Sequence, residues 1–183
     1  MLNTFMVYVE NKPGVLTRVA SLFRRRAFNI DSLTVGRTEK PEVSRMTITV
    51  DADRDQARRI EANLYKLVNV LLVENITHEP AIVRDLAMIR IAASHEARSH
   101  VLELANVFRA RVVDVAPESL TLEITGGEDK IDGLLEVLRP YGILEMVRTG
   151  IVAMRRGSKS NGAGAAKEMT TQSAASDDVS YSV

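Results

Sequence analysis

The residues with the clearest chemical potential lie in the segment Asn11-Lys12-Pro13-Gly14-Val15-Leu16, where a β-like run gives way to a helical pattern. The first N–H groups of a helix carry partial positive charge, and a glycine at this point lets a ligand approach the backbone. Such a loop can bind a carboxylate, while the amide oxygens of Asn11 and Asn29 can accept hydrogen bonds from an ammonium group. An amino acid carries both groups. The same residues are also typical of an ordinary turn with proline near a helix start, so both interpretations stay open at this point.

Two patterns resemble metal sites but lack the required geometry. His95 and His100 are one residue too far apart for the H-E-x-x-H zinc motif, because positions i and i+5 of a helix diverge by roughly 140°. The acidic run from Asp51 to Asp55 opens like a calcium loop, yet Gln56 stands where glycine is required. We therefore expect no metal site, and we interpret these residues as solvated, loop or helix-capping groups.

Charge and composition argue against a nucleic-acid partner and against catalysis by this chain. Lys and Arg number 24, as do Asp and Glu, so the formal net charge is zero, and aromatic residues make up 4%. We interpret the basic run Arg24-Arg25-Arg26 as helix-terminal cations, not as a nucleic-acid surface. The sequence contains no Walker loop, no credible dinucleotide motif and no evident catalytic triad. We expect no catalytic residues of its own.

The chain contains no cysteine, which excludes disulfides and cysteine-ligated metal centres. No apolar run reaches the roughly 20 residues that a membrane span needs, and the first ten residues lack the features of a secretion signal. We expect a soluble cytoplasmic protein with no membrane association.

Hydrophobic periodicity in the first half of the chain predicts the order β-α-β-β-α-β. The predicted strands are Phe5–Val9, Asn29–Gly36, Arg45–Val50 and Val70–Ile76. The predicted helices run from Val15 to about Arg26 and from a cap at Asp53 or Asp55 to about Leu67. The apolar face of the first helix is predicted to comprise Val15, Leu16, Val19, Ala20, Leu22 and Phe23.

The second half repeats this order, and "NVFRARVVDVAP" is similar to "SLFRRRAFNIDSLTV" in the first half. Its predicted strands are Ala87–Ala93, Val112–Val115, Leu120–Thr125 and Ile143–Val147, with helices around Val101–Phe108 and Ile131–Leu138. The sequence thus predicts an α+β protein of two tandem ferredoxin-like βαββαβ modules, at residues 1–78 and 79–157. Residues 158–183 contain no Leu, Ile or Phe, and we predict that they form a disordered tail.

The stretch "VYVENKPGVLTRVASLFRRRAFNIDSLTVGRTEKPEVSRMTITV" closely resembles the N-terminal ACT domain of the small regulatory subunits of acetolactate synthase, also called acetohydroxyacid synthase. The second module resembles the C-terminal domain of that family, notably in "FRARVVDV" and "RTGIVAMRRG". The resemblance covers about residues 2–157.

This resemblance implies a homodimer in which the ACT domains pair and the end product valine binds at their interface. Matching motif positions place the effector site at Asn11, Gly14, Val15 and Leu16 of one protomer and Asn29 and Ile30 of the other. The second module has "ASHEARSHV" at the corresponding turn, with neither Gly nor Asn. We therefore expect one type of effector site, not two.

The resemblance also implies a partner, the catalytic large subunit, which carries thiamine diphosphate, a divalent metal and FAD. This chain has no binding motif for those cofactors. It is expected to raise the activity of the large subunit and to confer feedback inhibition in branched-chain amino acid biosynthesis. An amino-acid-sensing transcription regulator would need a helix-turn-helix and a basic face, which the sequence does not show. A stand-alone amino-acid-binding regulatory protein is the alternative.

Overall fold

The computed structural model describes residues 1–157, and the predicted disordered tail lies outside the described residues. The chain forms two compact units. The first comprises Met1–Ala81 together with the described residues from Met154 onward, and the second is Ile82–Ala153. Each unit packs two helices on an antiparallel sheet with β-α-β-β-α-β chain order, so the α+β prediction of two ferredoxin-like modules is confirmed.

The first unit contains strands β1 to β4 and helices α1 and α2. The strands are β1 Leu2–Glu10, β2 Ile30–Arg37, β3 Val43–Asp51 and β4 Val70–Asn75, and the helices are α1 Val15–Arg25 and α2 Arg54–Leu64. The sheet order is β2-β3-β1-β4, which makes β2 an edge strand. The cap of α2 is Asp53, whose side chain accepts a hydrogen bond from the backbone N–H of Gln56. Helix α2 ends at Leu64 and not near Leu67 as predicted, because the chain closes a turn there, with Leu67 N donating to Leu64 O.

The core of the first unit lies between the helices and one face of the sheet. It contains alternate residues of the two central strands, namely Phe5, Val7 and Val9 of β1 and Met46, Ile48 and Val50 of β3. Helix α1 buries only Val15, Val19, Leu22 and Phe23 against them. The predicted burial of Leu16 and Ala20 is wrong: Leu16 is 43% exposed and Ala20 is exposed, since the apolar stripe is narrower than the helical wheel suggested.

The second unit repeats the topology with one additional strand. Its elements are β5 Ala81–Ala92, α3 His95–Val107, β6 Arg111–Ala116, β7 Ser119–Gly126, α4 Glu128–Leu138, a 3-10 turn Arg139–Tyr141, β8 Ile143–Arg148 and β9 Val152–Arg155. The outer ends of β5 and β9 cross the boundary between the units. The order is β6-β7-β5-β8, and β9 also pairs with β5. Strand β9 was not predicted. It forms because β5 begins at Ala81, six residues before the predicted start at Ala87, and therefore has room for two partners in succession.

None of the helices within residues 1–157 is both long enough and apolar enough to cross a membrane.

Candidate functional site

The loop between β1 and α1 turns sharply at Gly14. This residue is the N-cap of α1 and has φ 81° and ψ −8°, in the left-handed region. An added Cβ would meet no atom within 4 Å, so the space beside Gly14 is open. Backbone conformation, and not crowding, therefore explains the glycine, because side chains with a Cβ rarely adopt this φ.

The N-terminus of α1 differs from the other three α-helices of residues 1–157. Helix α1 has no capping side chain and no acidic residue in its first turn. Helix α2 has the cap Asp53, α3 has the cap Ser94, and α4 has Glu128 and Asp129 in its first turn. Negative groups at a helix start balance the partial positive charge of the first N–H groups. At α1 no side chain of the described chain does this, so an external carboxylate fits there.

Asn11 is held by the loop that joins β2 to β3. Its side-chain nitrogen donates to Pro41 O at 2.8 Å, and its side-chain oxygen accepts from the Ser44 hydroxyl at 3.1 Å. The backbone N–H of Asn11 also donates to Glu42 O at 2.7 Å. An amide oxygen has two lone pairs, so Asn11 retains one acceptor position for an ammonium group. No local motif marks Pro41 or Ser44 as part of this site. They lie beside Asn11 because β1 pairs with β3 in the register that places Glu10 opposite Val43.

A polar chain joins the end of β1 to the second turn of α1. Arg18 donates to the side-chain oxygen of Asn69, and Asn69 donates in turn to the Glu10 carboxylate. The hydrogen bond from Asn69, with a smaller contribution from Lys12 at 3.2 Å, lowers the pKa of Glu10 below its ordinary value. The loop between β1 and α1 is therefore fixed at both ends. The sequence did not identify Arg18 or Asn69 as part of this arrangement.

The remaining predicted residues have different exposures. Val15 is 4% exposed and packs in the core, so at this site it offers its backbone rather than its side chain. The exposed Leu16 side chain offers apolar surface beside Gly14. Asn29 is exposed, and Ile30 is partly buried against the core.

The structure places the two halves of the predicted site at opposite ends of the sheet. Glu10 pairs with Val43 beside the α1 loop, whereas Ile30 pairs with Val50. Seven steps of β3 separate Val43 from Val50, which at the usual rise is about 23 Å. One chain therefore does not bring Asn29 and Ile30 to the Gly14 loop.

Comparisons with known proteins agree on one family. A model of the AHAS small subunit-like ACT domain matches residues 5–72, and one of the small subunit of acetolactate synthase matches residues 84–157. The acetolactate synthase small subunit of Mycolicibacterium smegmatis is 47% identical over 165 residues, covering 90% of this chain and 96% of that protein. The chain belongs to the family of acetolactate synthase small subunits.

Two further relatives match this chain over nearly the whole of their own length. A probable acetolactate synthase small subunit of Archaeoglobus fulgidus is 51% identical over 159 residues, which are 87% of this chain and 99% of that one. The crystal structure of the acetolactate synthase small subunit of Thermotoga maritima superposes with a TM-score of 0.81 at 37% identity. It covers 87% of this chain and 99% of the Thermotoga chain.

The second module closes the equivalent loop with its own side chains. Ser94 takes the place of Gly14 and accepts a hydrogen bond from Ala97 N at 3.4 Å. Arg98, four residues after this cap as Arg18 is after Gly14, donates to Ala116 O at 2.7 Å and to the next carbonyl, at 2.6 Å. In the second module, the Ser94 side chain thus occupies the helix N-terminus, whereas the corresponding N-terminus of α1 in the first module has no capping side chain.

Proposed function

We propose that this chain is the regulatory subunit that activates the catalytic large subunit of acetolactate synthase and makes it sensitive to inhibition by valine. One observation carries the proposal: α1 begins at an open, left-handed Gly14 with neither a capping side chain nor an acidic first turn. The chain's membership of the small-subunit family supports the partner. The large subunit, with its thiamine diphosphate, divalent metal and FAD, performs the chemistry, in the cytoplasm.

The proposed site recognises both charged groups of valine. The N–H groups of Gly14 and Leu16 hold the carboxylate, where the helix terminus provides partial positive charge, and the Val15 N–H, which donates to Lys12 O at a long 3.4 Å, can turn to it as well. Asn29 and the unused lone pair of Asn11 accept hydrogen bonds from the ammonium group. Leu16 and Ile30 bound the apolar side chain, since both expose apolar surface.

The separation of the two halves supports a site shared by two protomers. Asn29 and Ile30 lie about 23 Å from the Gly14 loop on one chain, measured along β3. Strand β2 is an edge strand, and its Val35 is 43% exposed. An exposed edge strand needs protection from unwanted pairing. The first units of two protomers, paired across a twofold axis, protect it.

Valine changes the activity of the complex only if it binds the inhibited and the active arrangement with different affinity. In the proposed dimer, one valine joins the α1 loop of one protomer to the start of β2 in the other. Binding therefore favours the arrangement in which those two segments are close. The large subunit responds to this arrangement through its contacts with the dimer.

An acetolactate assay tests the proposal. The purified chain is titrated into a catalytic large subunit with and without valine. We expect activity to rise with the chain and to fall when valine is added. Absence of activation, with valine binding retained in calorimetry, would instead identify a stand-alone amino-acid-binding regulator.

A further inference from the structure

The helical layer of the first unit carries much more positive charge than the chain as a whole. Residues 15–28 and 53–67 contain eight Arg and Lys residues but three Asp and Glu residues, whereas the full chain is neutral. Arg24, Arg25 and Arg26 lie at the C-terminal end of α1 and are all exposed. Lys66 lies just beyond the end of α2.

A cavity of about 470 Å³ lies between these helix ends. Its lining residues are Leu22, Arg25, Arg26, Asn63, Lys66 and Leu67. The volume is within the range of small-ligand sites, roughly 300–1,000 Å³. Three of the six side chains are cationic, one is a neutral amide and two are apolar.

Two cations converge on one neutral oxygen in this cavity. The side-chain oxygen of Asn63 accepts hydrogen bonds from Arg26 at 3.3 Å and from Lys66 at 3.4 Å. The Asn63 amide nitrogen donates to Arg59 O at 2.7 Å, which fixes which end of the amide faces the cations. No salt bridge within residues 1–157 involves Arg25, Arg26 or Lys66. Within residues 1–157, no carboxylate therefore pairs directly with these three cations.

We infer that this cavity binds a small multivalent oxyanion of the phosphate or pyrophosphate class. Such a ligand presents several acceptor oxygens to convergent Arg and Lys donors. An amino acid does not fit, because the single amide oxygen of the lining, that of Asn63, already accepts from two cations, and an ammonium group placed there would be repelled by them. Compensation of the helix dipoles explains cations near each helix end, but it does not require cations of two helices to meet around one cavity.

The oxyanion site is separate from the proposed valine site. Gly14 begins α1 and Arg25 ends it, and 11 residues of helix span about 16 Å. The two proposals therefore depend on different residues and can fail separately.

Asn63→Asp is the most direct test. It replaces the shared neutral acceptor with a carboxylate of the same size, which pairs with Arg26 and Lys66 and competes with the ligand. Calorimetry with inorganic pyrophosphate, on the full chain at low ionic strength, is expected to show saturable binding that the variant weakens at least about tenfold. Asn106→Asp is the matched control, because Asn106 is exposed in the last turn of α3 in the other module. It is expected to leave binding unchanged.

A second pair of variants covers the case in which Asn63→Asp alters folding. Lys66→Gln removes one cavity cation, whereas Arg58→Gln removes an exposed α2 cation that does not line the cavity. Weaker pyrophosphate binding in Lys66→Gln alone supports the site. Equal weakening in both variants would indicate diffuse charge attraction and overturn the site, and so would the absence of saturable binding by the wild type.

Two further measurements separate this proposal from others. Gly14→Asp should retain pyrophosphate binding, and Asn63→Asp should retain valine binding, if the sites are independent. Should pyrophosphate not bind while Asn63→Asp weakens association with the large subunit, the cavity receives an acidic protein segment, and the small-oxyanion proposal is wrong.

Discussion

The side-chain oxygen of Asn11 accepts a hydrogen bond from the hydroxyl of Ser44 at 3.1 Å. Ser44 is 8% exposed and lies on β3, so a buried group of a neighbouring strand orients a residue of the α1 loop. The same asparagine is held from its other end by Pro41 O. A binding group fixed in advance loses less conformational entropy when the ligand arrives.

Ser44→Ala should therefore weaken valine binding without preventing folding. The substitution removes one of the two hydrogen bonds that orient the Asn11 side chain, at a cost of about 1 kcal/mol, or roughly fivefold in affinity. Calorimetry with valine measures the change, and the acetolactate assay checks that activation persists. An unchanged affinity would mean that Asn11 takes no part in holding the ammonium group.

Gly14→Asp should abolish most valine binding while activation survives. The open space beside Gly14 accommodates the side chain, and its carboxylate competes with that of valine for the same N–H groups. Exclusion and repulsion together are expected to weaken binding more than about a hundredfold.

Gly14→Asn is the control for that experiment. It has the same shape without the charge, and asparagine tolerates a left-handed φ better than most residues. Weaker binding with Asp than with Asn isolates the carboxylate. If both variants lose activation and inhibition together, Gly14 serves only the turn.

Much of the fold was predictable because its signals are local. Strict alternation along β3 and the 3.6-residue period of α2 identify those elements without knowledge of their partners. The sequence left Asp53 and Asp55 as alternative caps of α2, and the structure selects Asp53. Strand β9 was missed because its four residues form a strand only by pairing with β5, which is 12 residues long.

The candidate site was predictable only in part, because some of its residues are adjacent in sequence and others are brought together by strand pairing. Gly14 and the helix start are adjacent in sequence, so one segment reveals them. Ser44 reaches Asn11 only through the β1–β3 register, in which Val9 pairs with Ser44. The cavity could not be predicted, because it forms where the ends of α1 and α2 meet and no sequence motif links Arg26 to Asn63.

Acid should remove a small contribution of Glu10 to stability. Its pKa is lowered from 4.5 in the folded protein, mainly by the hydrogen bond from Asn69, so the ionised carboxylate favours folding. That contribution is present above about pH 4.5 and disappears as the pH falls through the lowered folded pKa. Denaturant unfolding should show Glu10→Gln to be less stable than wild type at pH 7, with the difference shrinking as the pH falls through the lowered folded pKa of Glu10. A difference that does not change with pH would have another cause.

Ala27→Gly should stabilise the first unit. Ala27 has φ 56° after the end of α1, where Phe28 N donates to Phe23 O at 3.1 Å, as in a Schellman motif. Glycine removes the strain of a Cβ in this region, a gain of about 1 kcal/mol. Ala20→Gly, on the exposed face of α1, should destabilise by about the same amount. Thermal unfolding of both variants measures the two effects, and a loss of stability in Ala27→Gly would contradict this account.

Mixing two defective variants tests whether two protomers share each site. Gly14→Asp damages the α1 loop, and Asn29→Ala removes an ammonium acceptor, which should weaken binding by about 1–3 kcal/mol. In a mixed dimer with shared sites, one site carries both defects, while the other combines an intact loop with an intact Asn29. Random exchange at equal amounts should therefore restore wild-type affinity to about a quarter of all sites. Calorimetry on the mixture counts them. Recovery of none, with native mass spectrometry confirming that mixed dimers have formed, would place each site within a single chain.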